Sequence, residues 1–306
     1  MIPSFPHFRN LRADDKEAVE SFTNQFPPYS DFNFTSLWCW NVSEKIQVSQ
    51  LYGNLIVRFT DYVTGEPFYS FCGNCAADKT ASALIDLART EGLPSVLKLV
   101  PSETAAALSN KFCITEDPDN FDYILSLAEM NSFHGNRFGD KRNLINRFLR
   151  RNTEITTCLL DLKLASTQQQ IEMLLKHWAF RKQMSAWETK KEFTAIRRLL
   201  DSNFVGSLIG LGVFCQQQLV GFSITEVLCK TYAMAHFEKG DIHHAGIGIY
   251  AFVMQQTALY LAEAGCRHLN YQQDLGIKSL RHAKDSYNPY MLLKKFQVTM
   301  TKPNNR

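Results

Sequence analysis

A glycine-containing loop before a long apolar helix is the sequence feature best suited to hold a phosphate. The loop lies between a predicted strand over residues 231–237 and a predicted helix over 246–264, and its residues are His243, His244, Ala245, Gly246, Ile247, Gly248 and Ile249. Glycines at a helix start let the backbone approach a ligand, while the free N–H groups and the helix dipole favour an anion. We therefore expect these residues to bind a cofactor phosphate, although glycines that merely start a helix would give the same pattern.

The spacing of this loop fits two kinds of cofactor. The pattern H-x-x-G-x-G resembles the Q/R-x-x-G-x-G/A pyrophosphate loop of GNAT acyltransferases, with His243 in place of the usual glutamine or arginine. That resemblance implies a coenzyme A thioester as donor. Gly246, Gly248 and Ala251 also fit the dinucleotide pattern G-x-G-x-x-A, with Asp274 as the acidic residue. Only about 30 residues follow Asp274, too few to complete a doubly wound sheet, so the acyl-donor interpretation is favoured.

A second group of polar side chains follows the next predicted strand, over residues 266–271. Ligands of open α/β sheets bind beyond the ends of strands. We expect Asn270, Arg281 and Lys284 to bind substrate. Asp274 and Glu238, at the ends of neighbouring predicted strands, are candidate proton acceptors. The alternatives are an ordinary loop capped by Asp274 before a solvated basic helix, and a salt bridge of Glu238 with Lys239 or Arg281.

A basic segment over residues 136–151 is the third candidate. Its apolar residues share one helical face, and Arg147, Arg150 and Arg151 project from the opposite face. We expect Asn136 and Arg142 in this segment to contact substrate. The arginines suit the phosphates of a cofactor, a lipid head group or a tRNA, and a solvated cationic face is the alternative.

The order of predicted elements occurs twice along the chain. Antiparallel strands, a loop, a helix, a strand able to pair in parallel and a second helix are predicted over 50–111 and again over 208–285. This order indicates a duplication of one α/β layer unit. We expect residues 1–155 to form an N-terminal unit that has lost donor binding, and 156–306 to form the unit with the active site.

Composition limits the class of protein. The 306 residues are 45% hydrophobic and 21% charged, which is typical of a globular protein and excludes disorder. A net charge of +3 does not require nucleic acid as a partner. Of eight cysteines, Cys72 and Cys75 alone form a C-x-x-C pair, without the further ligands of a zinc site, so we expect no metal. The sequence lacks a secretory signal and a transmembrane stretch, and we expect a soluble, cytoplasmic protein.

Four segments together resemble the C-terminal domain of phosphatidylglycerol lysyltransferase, a family related to the Fem aminoacyltransferases. The four segments are Phe121-Asp122-Tyr123, residues 135–148, residues 236–240 and residues 270–289. The resemblance spans nearly the whole chain and is most specific over residues 270–289. It implies two tandem GNAT-like units, each a mixed and mostly antiparallel sheet flanked by helices. It also implies transfer of an acyl or aminoacyl group, from coenzyme A or from aminoacyl-tRNA, to an amine or hydroxyl on a small-molecule or lipid-like acceptor.

The GNAT resemblance adds a third catalytic candidate and leaves one rival function. Tyr287 follows the strand after which GNAT enzymes often keep a tyrosine that protonates the leaving group. Direct attack of the acceptor needs only positioning, a proton acceptor and stabilisation of an oxyanion. The rival is a binding module of the same fold that holds coenzyme A or RNA without turnover.

Overall fold

The chain contains fourteen strands within the residues that the structure, a computed structural model, describes: 1–61, 64–229 and 231–301. In chain order the strands are β1 (Arg9–Asn10), β2 (Gln47–Leu51), β3 (Asn54–Thr60), β4 (Pro67–Cys72), β5 (Leu97–Pro101), β6 (Phe112–Glu116), β7 (Asp122–Ser126), β8 (Ile155–Leu160), β9 (Ile209–Cys215), β10 (Gln218–Cys229), β11 (Tyr232–Gly240), β12 (His268–Asn270), β13 (Met291–Leu293) and β14 (Lys295–Met300).

Ten α-helices connect or flank these strands in the same described ranges. They are α1 (Lys16–Thr23), α2 (Phe34–Trp40), α3 (Ala77–Thr90), α4 (Ser102–Ala106), α5 (Leu127–Met130), α6 (Gly139–Arg151), α7 (Ala165–Arg181), α8 (Ala186–Leu200), α9 (Ile249–Glu263) and α10 (Lys278–Asp285). Short 3₁₀ turns lie between several of them.

The strands form two seven-stranded sheets with matching order. The first sheet runs β1-β2-β3-β4-β5-β14-β6, and the second runs β8-β9-β10-β11-β12-β7-β13. Each sheet is antiparallel except for one parallel pair among its described pairings, β4 with β5 and β11 with β12. A helix joins the strands of each parallel pair, α3 in the first sheet and α9 in the second. The predicted α/β class and mixed, mostly antiparallel sheets are therefore confirmed.

Each sheet takes its sixth strand from a distant part of the sequence. β14, at the end of the described chain, lies between β5 and β6, and β7 lies between β12 and β13. Accordingly, contacts divide the chain into unit 1 (Met1–Asp122, Gln273–Leu280 and the described residues from Leu292 on) and unit 2 (Tyr123–Gln272 and Arg281–Met291). This division puts residues 123–155 in unit 2, whereas the sequence prediction assigned them to the first unit.

Helix α9 is the core helix of unit 2. Most of its residues are apolar, and Val253, Met254, Ala258 and Leu261 are completely buried. α9 forms the crossover from β11 to β12. The corresponding core of unit 1 includes Ala81, Leu84 and Ile85 of α3 against both sheet strands that α3 joins.

Several predicted elements differ from those in the structure. The single strand predicted over 50–60 is a hairpin, because the chain turns at Tyr52 and Gly53, both with positive φ. The helix predicted over 102–111 stops at Ala106 and gives way to β6. The helix predicted from residue 246 begins at Ile249. The predicted strand pair around 291–300 is divided between the two sheets.

Candidate active site

The two parallel strands of unit 2 separate where the polar residues begin. The last paired residues of β11 and β12 are Met234 and Asn270, yet β11 continues to Gly240. The chain leaves β12 at once, because the Asn270 side chain accepts a 2.7 Å hydrogen bond from the Gln272 amide. The Gln272 side chain in turn donates to the Ala235 carbonyl, at 2.6 Å. The far end of β11 is thus left open to side chains that follow β12.

Glu238 lies on this extension of β11 and bonds a tyrosine that directly follows β12. The Tyr271 hydroxyl donates to Oε1 of Glu238, at 2.8 Å. The ring of Tyr271 meets that of Tyr287 edge-on, with centroids 5.8 Å apart. Tyr287 is only 4% exposed and stacks on Phe133 on its other side. The separated strands therefore hold one carboxylate and two phenols together.

Two lysines complete this cluster. Lys141, from α6, lies with Nζ 3.7 Å from the Tyr287 ring centroid and donates to the Ser286 hydroxyl at 2.6 Å. Lys284, which is 6% exposed, donates to the Tyr271 carbonyl and has Nζ 4.8 Å from the ring of the same residue. We call Glu238, Tyr271, Tyr287, Lys141 and Lys284 the Glu238 site; all five belong to unit 2.

Burial tunes the acid–base behaviour of the Glu238 site. Loss of solvent raises the pKa of Glu238 to about 7, against the opposing effects of the Tyr271 hydrogen bond and the positive charges of Lys239, Lys141 and Lys284. Burial also lowers the pKa of Lys141 to about 8, partly offset by Glu238 and Asp140. A carboxyl that titrates near neutral pH can accept a proton from an attacking group and release it again.

The two phenols stay protonated. Burial, and then the negative charge of Glu238, raise the pKa of both Tyr271 and Tyr287 well above the usual value. Both are therefore hydrogen-bond donors at neutral pH. Two donors and two cations around one carboxylate can hold an acyl group and stabilise negative charge on its oxygen.

A second layer supports β11 beside Glu238. Lys239 forms an ion pair with Glu192, at 3.3 Å, and lies 4.4 Å from the Trp178 ring centroid. The Trp178 indole N–H donates to the Tyr250 hydroxyl at 3.0 Å. These contacts fix both strand β11 and the start of α9. The sequence offered a salt bridge of Glu238 with Lys239 or Arg281, and in the structure Lys239 pairs with Glu192 while its charge still acts on Glu238.

The predicted cofactor loop is packed against α6. A methyl group on Gly248 would lie 2.1 Å from the Leu144 carbonyl oxygen, so only glycine lets the two helices approach this closely. Gly246 has φ +95°, another conformation that favours glycine, and faces the Arg151 side chain. Arg151 donates to the His243 carbonyl at 3.2 Å, and Asn152 donates to the Ala245 carbonyl at 2.7 Å.

Several amides of the same loop already have partners inside the chain. The amides of His243 and His244 donate to the Asp241 side chain, and those of Ala245 and Gly246 donate to the carbonyls of Asp241 and Ile242. The Ile249 amide donates to the Gly246 carbonyl. His243, His244 and Ile247 are exposed, while Ala245 and Ile249 are fully buried in the core. Packing thus gives these glycines a structural function, and coenzyme A binding by the loop stays a prediction.

The predicted substrate residues fall into different surroundings. Arg142 donates to the carbonyls of Phe133 and Gly135 and so orders the turn over residues 133–135. Asn136 is exposed in the 3₁₀ turn that follows, Asn136–Phe138. Lys284 lies in the Glu238 site, and Asn270 orders the chain exit just before it. Arg281 is partly buried in unit 2.

Asp274 belongs to unit 1 and is completely buried. Its Oδ1 accepts the Gly276 amide at 2.8 Å, which closes the turn after Gln273. Gln273 accepts a 2.8 Å hydrogen bond from Lys295, which also pairs with Asp122 at 2.7 Å in a buried network of unit 1. The assignment of Asp274 as a proton acceptor stays a prediction.

Sequence reasoning did not select Tyr271 or Lys141 for the site. Tyr271 is the last residue of the strand predicted over 266–271, and a position at a strand end is a usable signal. Lys141 is one of five basic residues between 141 and 151, and sequence alone does not say which of them faces a tyrosine. Among the ranges 1–61, 64–229 and 231–301, no group of three or more His, Cys, Asp or Glu side chains is arranged to hold a metal.

The fold is a tandem GNAT-like fold, and together with the family it indicates a protein of the aminoacyl- or acyltransferase type. The chain belongs to the family of the phosphatidylglycerol lysyltransferase C-terminal domain, whose model matches residues 23–299. The resemblance inferred from the sequence is thereby confirmed. No curated protein matches the chain in sequence. None of the helices that the structure describes has the length and apolarity needed to cross a bilayer.

Solved structures show the same fold. A conserved protein of unknown function from Bacteroides thetaiotaomicron is 24% identical, with a TM-score of 0.80, over 98% of this chain and 100% of that one. The C-terminal domain of a putative lysylphosphatidylglycerol synthetase from Agrobacterium fabrum is 12% identical, with a TM-score of 0.67, over 94% and 92%. L-PGS from Bacillus licheniformis is 13% identical, with a TM-score of 0.63, over 100% and 95%.

Proposed function

We propose that the chain is an aminoacyltransferase that moves an aminoacyl group from tRNA to a hydroxyl or amine of a lipid-like acceptor. The observation that carries this proposal is the Glu238 site, where a carboxyl with a pKa of about 7 bonds Tyr271 beside Lys141 and Lys284. The family name supports the aminoacyl group and the lipid acceptor.

The proposed reaction is direct attack on the ester of the aminoacyl-tRNA. The acceptor oxygen or nitrogen forms a bond to the ester carbonyl carbon while Glu238 takes up its proton. The bond from that carbon to the ribose oxygen breaks, and the ribose oxygen receives a proton, for which Tyr287 is the proposed donor. Exchange with solvent then returns one proton to Tyr287 and removes one from Glu238. Lys284 is proposed to stabilise the carbonyl oxygen as it gains negative charge, while Tyr271 holds Glu238 in place.

Packing of the glycine loop supports tRNA over coenzyme A as the donor. The amides of Ala245, Gly246 and Ile249, which coenzyme A pyrophosphate would need as donors, already donate to carbonyls within the chain. Arg147 and Arg150 on the same helix are exposed and suit the phosphates of an RNA acceptor end. Coenzyme A remains the second candidate because the loop retains the spacing of the GNAT pattern.

Transfer of a radiolabelled amino acid tests the proposal. Purified protein is incubated with aminoacyl-tRNA and vesicles containing phosphatidylglycerol, and label is measured in the lipid extract. Wild type is expected to label the lipid and Glu238→Gln to lose at least about 99% of the rate. No labelling with any aminoacyl-tRNA, together with saturable tRNA or coenzyme A binding in calorimetry, would instead identify a binding module.

A further inference from the structure

The turn between α7 and α8 in unit 2 exposes two large aromatic side chains. Phe180, in the last turn of α7, is 78% exposed, and Trp187, in the first turn of α8, is 56% exposed. The two residues before Phe180 are buried, since Trp178 and Ala179 are 8% and 5% exposed. The aromatic residues therefore project from an anchored helix pair.

The backbone of this turn is held in one conformation. Ser185 caps α8 by accepting the Glu188 amide, and the Glu188 carboxylate accepts from the Ser185 hydroxyl at 2.6 Å. The Met184 amide donates to the Ala179 carbonyl at the end of α7. Such a capping box fixes the start of a helix, so Phe180 and Trp187 are displayed without a loop having to become ordered.

A positive charge lies beside each of the two aromatic rings, and Cζ of Arg181 is 5.8 Å from the Phe180 ring centroid. Residues 180–191 contain Arg181, Lys182, Lys190 and Lys191 against Glu188 alone, which gives 4 − 1 = +3. The Lys191 ammonium lies 3.4 Å from the Trp187 ring centroid. Aromatic residues with a flanking basic cluster are the combination that binds the interface of an anionic bilayer, where rings enter the headgroup boundary and cations meet lipid phosphates.

We propose that this tip, defined as Phe180, Arg181, Lys182, Trp187, Lys190 and Lys191, docks the protein on an anionic bilayer surface. The inference rests on exposure and charge at the tip and not on the proposed function. An RNA strand would be expected to stack its bases along a groove, whereas this tip is a projecting turn and Lys191 covers one face of Trp187. The observations therefore favour a lipid surface.

Vesicle sedimentation tests the docking. Vesicles of phosphatidylcholine alone are compared with vesicles containing phosphatidylserine, which carries negative charge without being the family's named lipid. Wild type is expected to bind the anionic vesicles and to lose binding as salt rises. The double variant Phe180→Ala, Trp187→Ala is expected to bind at least about tenfold more weakly because two apolar side chains leave the interface. Arg181→Gln with Lys190→Gln should cause a similar loss through charge.

The matched control is Met173→Ala, two helical turns before Phe180 on α7. Met173 is 54% exposed, about as much as Trp187, but lies about 10 Å from the end of the helix. Docking through the tip predicts unchanged binding by this variant, and an equal loss would overturn it. Unchanged vesicle binding by the aromatic double variant at an unchanged melting temperature would also overturn it. The proposal would also be overturned if the aromatic double variant lost tRNA binding or self-association but kept its vesicle binding.

Discussion

The hydroxyl of Tyr271, the first residue after β12, donates a 2.8 Å hydrogen bond to Glu238 on the part of β11 that extends beyond its pairing with β12. The bond forms because two parallel strands end at different points: β12 stops at Asn270 while β11 continues to Gly240. It links the carboxyl with a raised pKa to the tyrosine and lysine cluster around it. The following predictions test what this link does.

Glu238→Gln and Asp274→Asn distinguish the two candidate proton acceptors. Both changes keep the side-chain shape and remove the charge. If Glu238 accepts the proton, Glu238→Gln should lower turnover by about 10²–10⁴ with little change in melting temperature. Asp274→Asn should keep turnover and lower the melting temperature, because Asp274 is buried in a turn of unit 1. The opposite result in the lipid-labelling assay would give the catalytic role to Asp274.

Stability should depend on pH through Glu238. Its pKa is about 7 in the folded chain, above the ordinary value of 4.5, so the folded state keeps a proton that the unfolded state has lost between these values. The resulting stabilisation is complete below about pH 4.5 and is lost as pH rises through about 7. The melting temperature of Glu238→Gln, relative to wild type, should therefore be higher at pH 8 than at pH 5. An equal difference at both pH values would contradict the raised pKa.

Removing the Tyr271 hydroxyl should move the pH dependence of the reaction. That hydrogen bond favours the charged form of Glu238, so Tyr271→Phe should raise the carboxyl pKa further above 7. The midpoint of kcat/KM against pH should shift to higher pH. Tyr290→Phe is the control, because Tyr290 is 63% exposed and outside the Glu238 site. A midpoint unchanged in Tyr271→Phe would show that Glu238 does not set the profile.

Gly248→Ala should destabilise unit 2 by about 1–3 kcal/mol, because the new methyl group meets the Leu144 carbonyl oxygen of α6. Gly139→Ala is the matched control in α6: it has helical φ and open space around it, and alanine is the better helix former. Urea unfolding measures both. Equal stability of the two variants would mean that α6 is free to move off the loop and that coenzyme A has room to bind.

The exposed arginines of α6 should contribute to tRNA affinity by releasing counterions from the RNA phosphates. Replacing Arg147 and Arg150 by alanine should reduce the slope of log affinity against log salt by about 1.5 and weaken binding at low salt. Arg89→Ala is the control, since Arg89 is similarly exposed on α3 and pairs with Asp86. Filter binding at several salt concentrations gives the slopes, and identical slopes for all three proteins would reduce this patch to a solvated face.

Local pattern predicted the elements that carry the site, and long-range pairing accounts for what it did not predict. The apolar run of α9 and the strands on either side of it are visible in the sequence, although β11 runs past Glu238 to Gly240, where the sequence predicted a strand end at residue 237. β7 was missed because its partner β12 is more than a hundred residues away, and a short buried strand has no period of its own. The approach of Lys141 to Tyr287 depends on how α6 packs, which spacing along the chain does not fix.

The placement of β7 and β14 also governs how this chain can be cut or rearranged. One cut cannot yield two fragments that each hold a full sheet, because β7 to β13 form the second sheet as one continuous segment, while the first sheet needs β14, which follows that segment in the chain. A fragment that stops before β14 would expose two unpaired strand edges, which are templates for aggregation. The first sheet therefore closes only after the whole second sheet has been synthesised, and its folding has to wait for contacts between β14 and β5 or β6 that span more than half of the sequence.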